Sequence, residues 1–176
     1  MKMMSKKGFT LIELLLVVIV MGILLSIAYI SSRTWINRYK SEGQMKALYT
    51  DMANARLNAM DTKRMFFVVL TSGLNGSYTI YEDTNPSPDG DGALQAGNDR
   101  VFIRTSLGYP ILFDGGGQID FNTEGVARRL AGDLQTTIRL DYATIGESFG
   151  ATYDCLVVSA TRIRMGVWNG ASCFIK

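Results

Sequence analysis

The chain has no histidine and contains only two cysteines and three prolines among its 176 residues. Without histidine, Ser-His triads, histidine-activated cysteines and histidine-containing zinc sites are excluded. The glycine run Gly115–Gly117 has no following lysine or helix start, so it is typical of a turn and not of a phosphate-binding loop. These absences predict a protein that is not an enzyme.

An excess of charge of one sign is also missing, because 18 Lys and Arg residues are balanced by 16 Asp and Glu residues. The formal net charge is +2. A chain without a large positive excess has no general electrostatic attraction for nucleic acid. The composition, with 47% hydrophobic and 19% charged residues, fits a small anchored domain.

The most informative pattern is one carboxylate inside a long apolar stretch near the N-terminus. A cluster of basic residues ends at Lys7, and after Glu13 the 17 residues Leu14–Ile30 carry no charge. An ionised side chain within a bilayer costs roughly 2.5–3.5 kcal/mol and normally has a partner. No residue from Phe9 to Ser32 is cationic, so the apolar segment supplies no partner for Glu13.

Three interpretations of this segment compete. One is a secretory signal peptide cleaved near Ser26–Ala28, although the apolar stretch exceeds the usual length. Another is a plain single-pass anchor, since Phe9–Ile30 has 22 residues and a spanning helix needs about 20. In the third, the chain is cut between Gly8 and Phe9, which creates a new α-amino group four residues before Glu13 and supplies the missing cation.

The third interpretation agrees with a family resemblance. Residues Lys6–Leu15 read KKGFTLIELL and resemble the class III signal of type IV pilins and type II secretion pseudopilins. The resemblance implies that a prepilin peptidase cleaves after Gly8 and N-methylates Phe9. It also implies that Glu13 neutralises the terminal amine of a neighbouring subunit during filament assembly. The expected partners are therefore other pilins or pseudopilins and an inner-membrane assembly platform.

The same resemblance implies a location and a fold. The expected location is the bacterial inner membrane, with a single span and the globular domain in the periplasm, until the subunit enters a pseudopilus or pilus. The expected fold class is α+β and pilin-like, with a long N-terminal helix packed against a C-terminal antiparallel β-sheet domain. The predicted divisions are a cleaved leader (1–8), a transmembrane and assembly helix (9–32), an amphipathic continuation of that helix (33–63) and a β-rich domain (64–176).

Periodicity in the chain predicts where the helix and the strands lie. From Phe9 to about Met60 no proline interrupts a helix. Apolar residues at spacings of three and four form one stripe on it, namely Met45, Leu48, Met52, Ala55 and Ala59. After Lys63, short runs of β-branched and aromatic residues alternate with turn formers. The predicted strands are Met65–Leu70, Tyr78–Tyr81, Val101–Thr105, Ile111–Phe113, Gln118–Phe121, Thr136–Leu140, Cys155–Ser159 and Ile163–Trp168.

Later stretches narrow the resemblance to a subfamily. Met52–Met60, Ile119–Gly125 and Leu156–Arg164 resemble the H-type minor pseudopilins and the related minor pilins. The apolar segment also lacks the helix-kinking proline that many major pilins carry. Both observations favour a minor subunit over a major pilin.

Arg162 and Arg164 indicate an alternative function. DNA-binding minor pilins of this subfamily carry a Gly-Arg-x-Arg motif near the C-terminus, and Thr161–Arg164 resembles that motif without its glycine. On a strand the two guanidinium groups would share a face and contact phosphates. The alternative is therefore a DNA-binding minor pilin at a filament tip that acts in DNA uptake. A solvated strand face balanced by acids such as Asp154 competes with it, and Trp168 is the one nearby candidate for base stacking.

Calcium is the one cofactor for which the sequence offers ligands. Four aspartates with hard oxygen donors lie in one loop, namely Asp83, Asp89, Asp91 and Asp99. Their spacing is not that of an EF-hand, and prolines interrupt the segment. A charged loop kept soluble by its aspartates is the competing interpretation, and otherwise no cofactor is expected.

The two cysteines are Cys155 and Cys173. An even number of cysteines in an exported domain indicates a disulfide, which would fasten the C-terminal tail to the strand near Cys155. Two buried free thiols are the alternative.

Overall fold

The structure is a computed structural model that describes residues 8–129, 135–146 and 148–176. It does not describe the side chains of residues 27–32 and 129. The chain divides into two units, of which the first ends at Asn37 and the second is Arg38–Lys176.

Helix α1 is Leu11–Thr62 and contains 52 residues. The predicted start at Phe9 is therefore two residues early, because Thr10 caps the helix from outside its first turn. In the first unit the large apolar side chains from Leu11 to Leu25 are all exposed, by 46–85%. Within the described residues, no helix combines the length and the apolar character needed to cross a membrane.

In the second unit α1 carries the predicted apolar stripe into the core. Met45, Leu48, Met52, Ala55 and Ala59 are each 0% exposed. Because 3.6 residues make one turn, residues three and four apart lie on one face, and that face packs on the sheets. The predicted amphipathic stripe is confirmed.

The second unit also contains two antiparallel five-stranded sheets. The order is β3-β2-β1-β5-β6 in the first sheet and β10-β9-β8-β7-β4 in the second. The first sheet contains β1 (Phe66–Thr71), β2 (Ser77–Glu82), β3 (Arg100–Ser106), β5 (Gln118–Phe121) and β6 (Ala127–Arg129). The second sheet contains β4 (Ile111–Phe113), β7 (Gln135–Leu140), β8 (Cys155–Ser159), β9 (Ile163–Trp168) and β10 (Cys173–Ile175).

Both sheets and the helix share one core. Side chains such as Phe66 and Phe121 from the first sheet meet Ile138 and Leu156 from the second, all at most 1% exposed, together with the helix stripe. Alternate residues along β7 are buried, as expected for a strand with one face in the core. The expected α+β, pilin-like fold class is confirmed.

Polar contacts also join α1 to the sheets. The Tyr78 hydroxyl donates to Asp51 Oδ2 at 2.5 Å, and burial together with this carboxylate raises the pKa of Tyr78 to about 12. Gln44 donates to the Tyr109 carbonyl and accepts from the Tyr109 N–H, both at 2.8 Å. These bonds join polar side chains of the helix, outside the buried stripe, to the β-rich part of the unit.

The sequence did not predict three of the short elements, although it did predict the three-residue strand β4. Strands β6 and β10 contain three residues each, and helix α2 (Tyr142–Ile145) contains four. Such lengths carry no readable period, so pairing with neighbours determines them. The acceptor that caps α2 is Asp141, which is 6% exposed and receives the Thr144 N–H.

Candidate processing and assembly site

Gly8 and Phe9 lie outside α1, at the start of the described chain. Both residues are exposed, and the Phe9 side chain is 87% exposed. A Cβ added to Gly8 would meet no described atom within 4 Å. Non-helical, exposed backbone is the kind of substrate that a protease can bind. The rest of the predicted leader, residues 1–7, lies outside the described residues, so cleavage after Gly8 stays a prediction.

Glu13 forms a reciprocal pair with Thr10 at the N-terminus of α1. Glu13 Oε2 accepts from the Thr10 N–H and from the Thr10 hydroxyl, both at 2.9 Å. The Thr10 hydroxyl oxygen in turn accepts from the Glu13 N–H at 3.3 Å. This is a capping box, in which residues at the N-cap and N3 positions satisfy each other's N–H groups. Before any cleavage, Glu13 therefore already has a local partner.

The sequence contains the signal for this pair, and sequence reasoning missed it. Thr10 and Glu13 have the Ser/Thr-x-x-Glu spacing that precedes an apolar helix. The cap engages one carboxylate oxygen, because Glu13 Oε1 makes no hydrogen bond with a described residue. A carboxylate offers about four acceptor positions, so Glu13 can cap its own helix and still accept from an amine.

The structure joins Cys155 and Cys173 by a disulfide, with their Cα atoms 6.0 Å apart. The bond crosses β9, since Cys155 lies in β8 and Cys173 in β10. Gly166 of β9 lies opposite Cys155, and an added Cβ there would be 2.9 Å from Cys173 Sγ. The disulfide thus links the edge strand β10, and with it the C-terminal tail, to β8 on the other side of β9.

Three of the four aspartates of the acidic loop, Asp83, Asp91 and Asp99, accept hydrogen bonds from the loop itself. Asp83 is 1% exposed and accepts from the N–H groups of Asp91, at 3.3 Å, and Gly92, at 2.7 Å. Burial raises the pKa of Asp83 despite these bonds. Asp99 is 6% exposed and accepts three backbone N–H groups, whereas Asp89 is exposed. Among the residues described, no three histidines, cysteines or carboxylates are placed to hold a metal ion. Calcium binding stays a prediction without geometric support.

Arg162 and Arg164 are both exposed, but only Arg164 lies in a strand. Together with Arg56 of α1 they line one groove of about 480 Å³. Arg56 Nη1 donates to the Thr161 carbonyl at 2.5 Å. Sequence reasoning missed Arg56, because more than 100 residues separate it from the turn that it contacts.

Asp154 and Trp168 form contacts with each other and with neighbouring residues, away from the groove of Arg162. Asp154 is 4% exposed and accepts from the Trp168 N–H at 2.6 Å and from the Tyr142 hydroxyl at 3.0 Å. Burial raises the pKa of Asp154. The Arg139 guanidinium lies over the Trp168 ring, 4.2 Å from its centroid. Trp168 is not among the residues that line the groove of Arg162.

Residues 3–29 match the family model of the prokaryotic N-terminal methylation motif. The match supports the resemblance to type IV pilins and pseudopilins. A motif of this kind is typical of prepilins, which are processed by a prepilin peptidase, anchored in a membrane and assembled with other pilins. Comparison with curated proteins and comparison with solved structures both gave no match.

Proposed function

We propose that this chain is a minor pseudopilin of a type II secretion system, or a closely related minor pilin, assembled through its N-terminal helix. In this proposal residues 9–32 hold the subunit in the bacterial inner membrane, with residues 64–176 in the periplasm. An assembly platform then moves the subunit into the filament. The three later stretches that resemble H-type subunits support the minor role.

The observation that carries the proposal is the methylation motif together with the geometry of Glu13. Cleavage after Gly8 would turn the exposed Phe9 into a charged chain end. An ammonium group and a carboxylate attract each other far more strongly in an apolar medium than in water. Glu13 Oε1 is the acceptor for the Phe9 amine of a neighbouring subunit, while Oε2 keeps its helix cap. Repeating such a head-to-tail contact without closure produces a helical filament.

N-terminal mass spectrometry of the chain from its native membrane tests this proposal. We expect a mature chain that begins at Phe9 and carries one methyl group on its α-nitrogen. A mature chain that keeps residues 1–8, or begins near Tyr29, would refute the filament subunit. The first result would favour the plain anchor and the second the secretory signal peptide.

A DNA-binding minor pilin is the second candidate function. The specific observation that favours it is the exposure of Arg162 and Arg164 in one groove with Arg56. Replacing both Arg162 and Arg164 by alanine should then abolish DNA binding whose strength falls with rising salt. Binding that is absent, or that survives the double substitution, would dispose of this candidate.

A further inference from the structure

The groove beside Arg56 has an apolar wall that the domain covers only in part. Tyr49, Ala53, Leu57 and Met60 recur on α1 at spacings of four, four and three, so they form a second stripe beside the core stripe. Leu57 is 59% exposed. Ile163 at the start of β9 also lines the groove. A helix with a second apolar stripe is suited to contact another chain.

Three positive charges border this wall, and no carboxylate lies among the described residues that line it. None of Arg56, Arg162 and Arg164 forms an ion pair with a described residue. Arg56 Nε is buried without a hydrogen-bond partner in the part of the chain that the structure describes. The groove therefore combines an apolar wall with three arginines at its rim.

We propose that this groove binds an acidic polypeptide segment of a neighbouring subunit, an inference that rests on the proposed filament function. Carboxylates on the segment form charge-assisted hydrogen bonds with Arg162 and Arg164. Apolar side chains between those carboxylates cover Leu57 and Met60. The occupant is thus an amphipathic segment that carries Asp or Glu beside Leu-like residues.

A protein segment fits the groove better than a nucleic acid strand. A sugar-phosphate backbone would satisfy the arginines and leave the apolar wall of Ala53, Leu57 and Met60 bare. Single strands bind through stacking of bases on aromatic rings, and Tyr49 is the one ring among the described lining residues. The Trp168 ring lies against Arg139, outside the groove.

Fluorescence anisotropy, with the full chain in detergent, tests whether the groove binds an acidic amphipathic segment. The probe is a short labelled peptide with glutamates and leucines at helical spacing, compared with the same peptide carrying glutamine in place of glutamate. We expect the acidic peptide to bind about tenfold more tightly or better, since bonds to charged groups are the strong ones. Replacing Arg162 and Arg164 by alanine should remove that difference, and Leu57→Ser should weaken binding of both peptides.

The matched control replaces Lys40 and Arg104 by alanine. Both residues are exposed and neither lines the groove, so this variant loses the same charge elsewhere on the domain. It should bind the acidic peptide as the wild type does. Equal affinity for the two peptides, or equal losses in the two double variants, would overturn the proposal.

A second binding experiment uses a labelled single-stranded oligonucleotide in place of the peptide. If it binds more tightly than the acidic peptide and loses affinity in the Arg162 and Arg164 variant, the groove is a nucleic-acid site and the proposal is wrong.

The experiments distinguish a wrong assignment of the groove from a wrong assignment of the proposed function. A methylated Phe9 without peptide binding refutes the groove alone, whereas peptide binding by a chain that keeps residues 1–8 removes the filament neighbour from the proposal.

Discussion

Thr10 and Glu13 cap the first turn of α1 through three hydrogen bonds between them. The pair gives Glu13 a structural role that does not depend on processing. The function that we propose gives the same carboxylate a second role, as the acceptor for a neighbour's amine. The two roles use different oxygens, so substitutions can separate them.

Glu13→Gln separates the charge of this side chain from its capping role. Glutamine at N3 still completes a capping box, but it carries no negative charge for an ammonium group. We expect Glu13→Gln and Glu13→Ala both to lose incorporation into filaments, measured as the fraction of subunit recovered in sheared filaments. Thr10→Ala is the matched control, because it weakens the cap by about 1 kcal/mol and keeps the charge. Normal incorporation of Glu13→Gln would contradict the pairing role.

Removing the disulfide should lower the free energy of unfolding. Cys155 and Cys173 are 18 residues apart, and closing a loop of that size stabilises a fold by about 3 kcal/mol in the chain-entropy model. Denaturant unfolding of the Cys155→Ser, Cys173→Ser double variant should show this loss. Reductant should lower the stability of the wild type and leave that of the double variant unchanged. An intact mass that does not change on reduction and alkylation would contradict the disulfide.

Gly166 should tolerate no side chain. An added Cβ would lie 2.2 Å from the Phe174 carbonyl oxygen, which is backbone and cannot simply swing away. We expect Gly166→Ala to lower the free energy of unfolding by about 1–3 kcal/mol, a typical cost of overpacking. Gly97→Ala is the control, because a Cβ there meets nothing within 4 Å and its effect should stay within about 0.5 kcal/mol. Equal stability of the two variants would show that β10 does not lie across Gly166.

The charge of Glu42 should make the free energy of unfolding depend on pH in the acidic range. Its burial favours the neutral form, but hydrogen bonds from the Thr152 N–H and from Arg38 outweigh burial, so the pKa of Glu42 is below its ordinary value of 4.5. A lowered pKa in the folded state contributes stability that is complete above the ordinary value and is lost as pH falls through the folded-state pKa.

Denaturant unfolding of wild type and Glu42→Gln, from about pH 7 to about pH 3, measures this contribution. The wild type should be more stable at neutral pH, and the difference should shrink as the pH falls below 4.5. A difference that stays constant or widens toward acid would show that the charge of Glu42 does not stabilise the fold.

Calcium should have little effect on the thermal midpoint of the full chain. The two buried aspartates of the loop, Asp83 and Asp99, already accept backbone N–H groups. We expect Asp83→Asn to lower the midpoint equally with and without millimolar calcium, because it weakens bonds within the loop. A calcium-dependent rise in the wild type that Asp83→Asn removes would establish the metal site that the sequence predicted.

Local pattern explains which elements the sequence predicted well. The stripe from Met45 to Ala59 and the strands Ile111–Phe113, Gln118–Phe121, Cys155–Ser159 and Ile163–Trp168 agree with the structure. Each was visible as a period of 3.6 or as a short β-rich run, which depends on neighbours along the chain. The capping box is equally local, since Thr10 and Glu13 are three residues apart.

The sequence by itself determined the helix, most strands and the processing signal, because backbone preference and apolar periodicity act over a few residues. Only the tertiary structure decided that Asp83 and Asp99 accept hydrogen bonds from their own loop. It also decided that the disulfide from Cys173 to Cys155 passes Gly166, and that Arg56 and Arg162 line the same groove. These contacts join residues distant in the chain, and the packing of the helix against two sheets selects them from many pairings that the sequence alone leaves equally available.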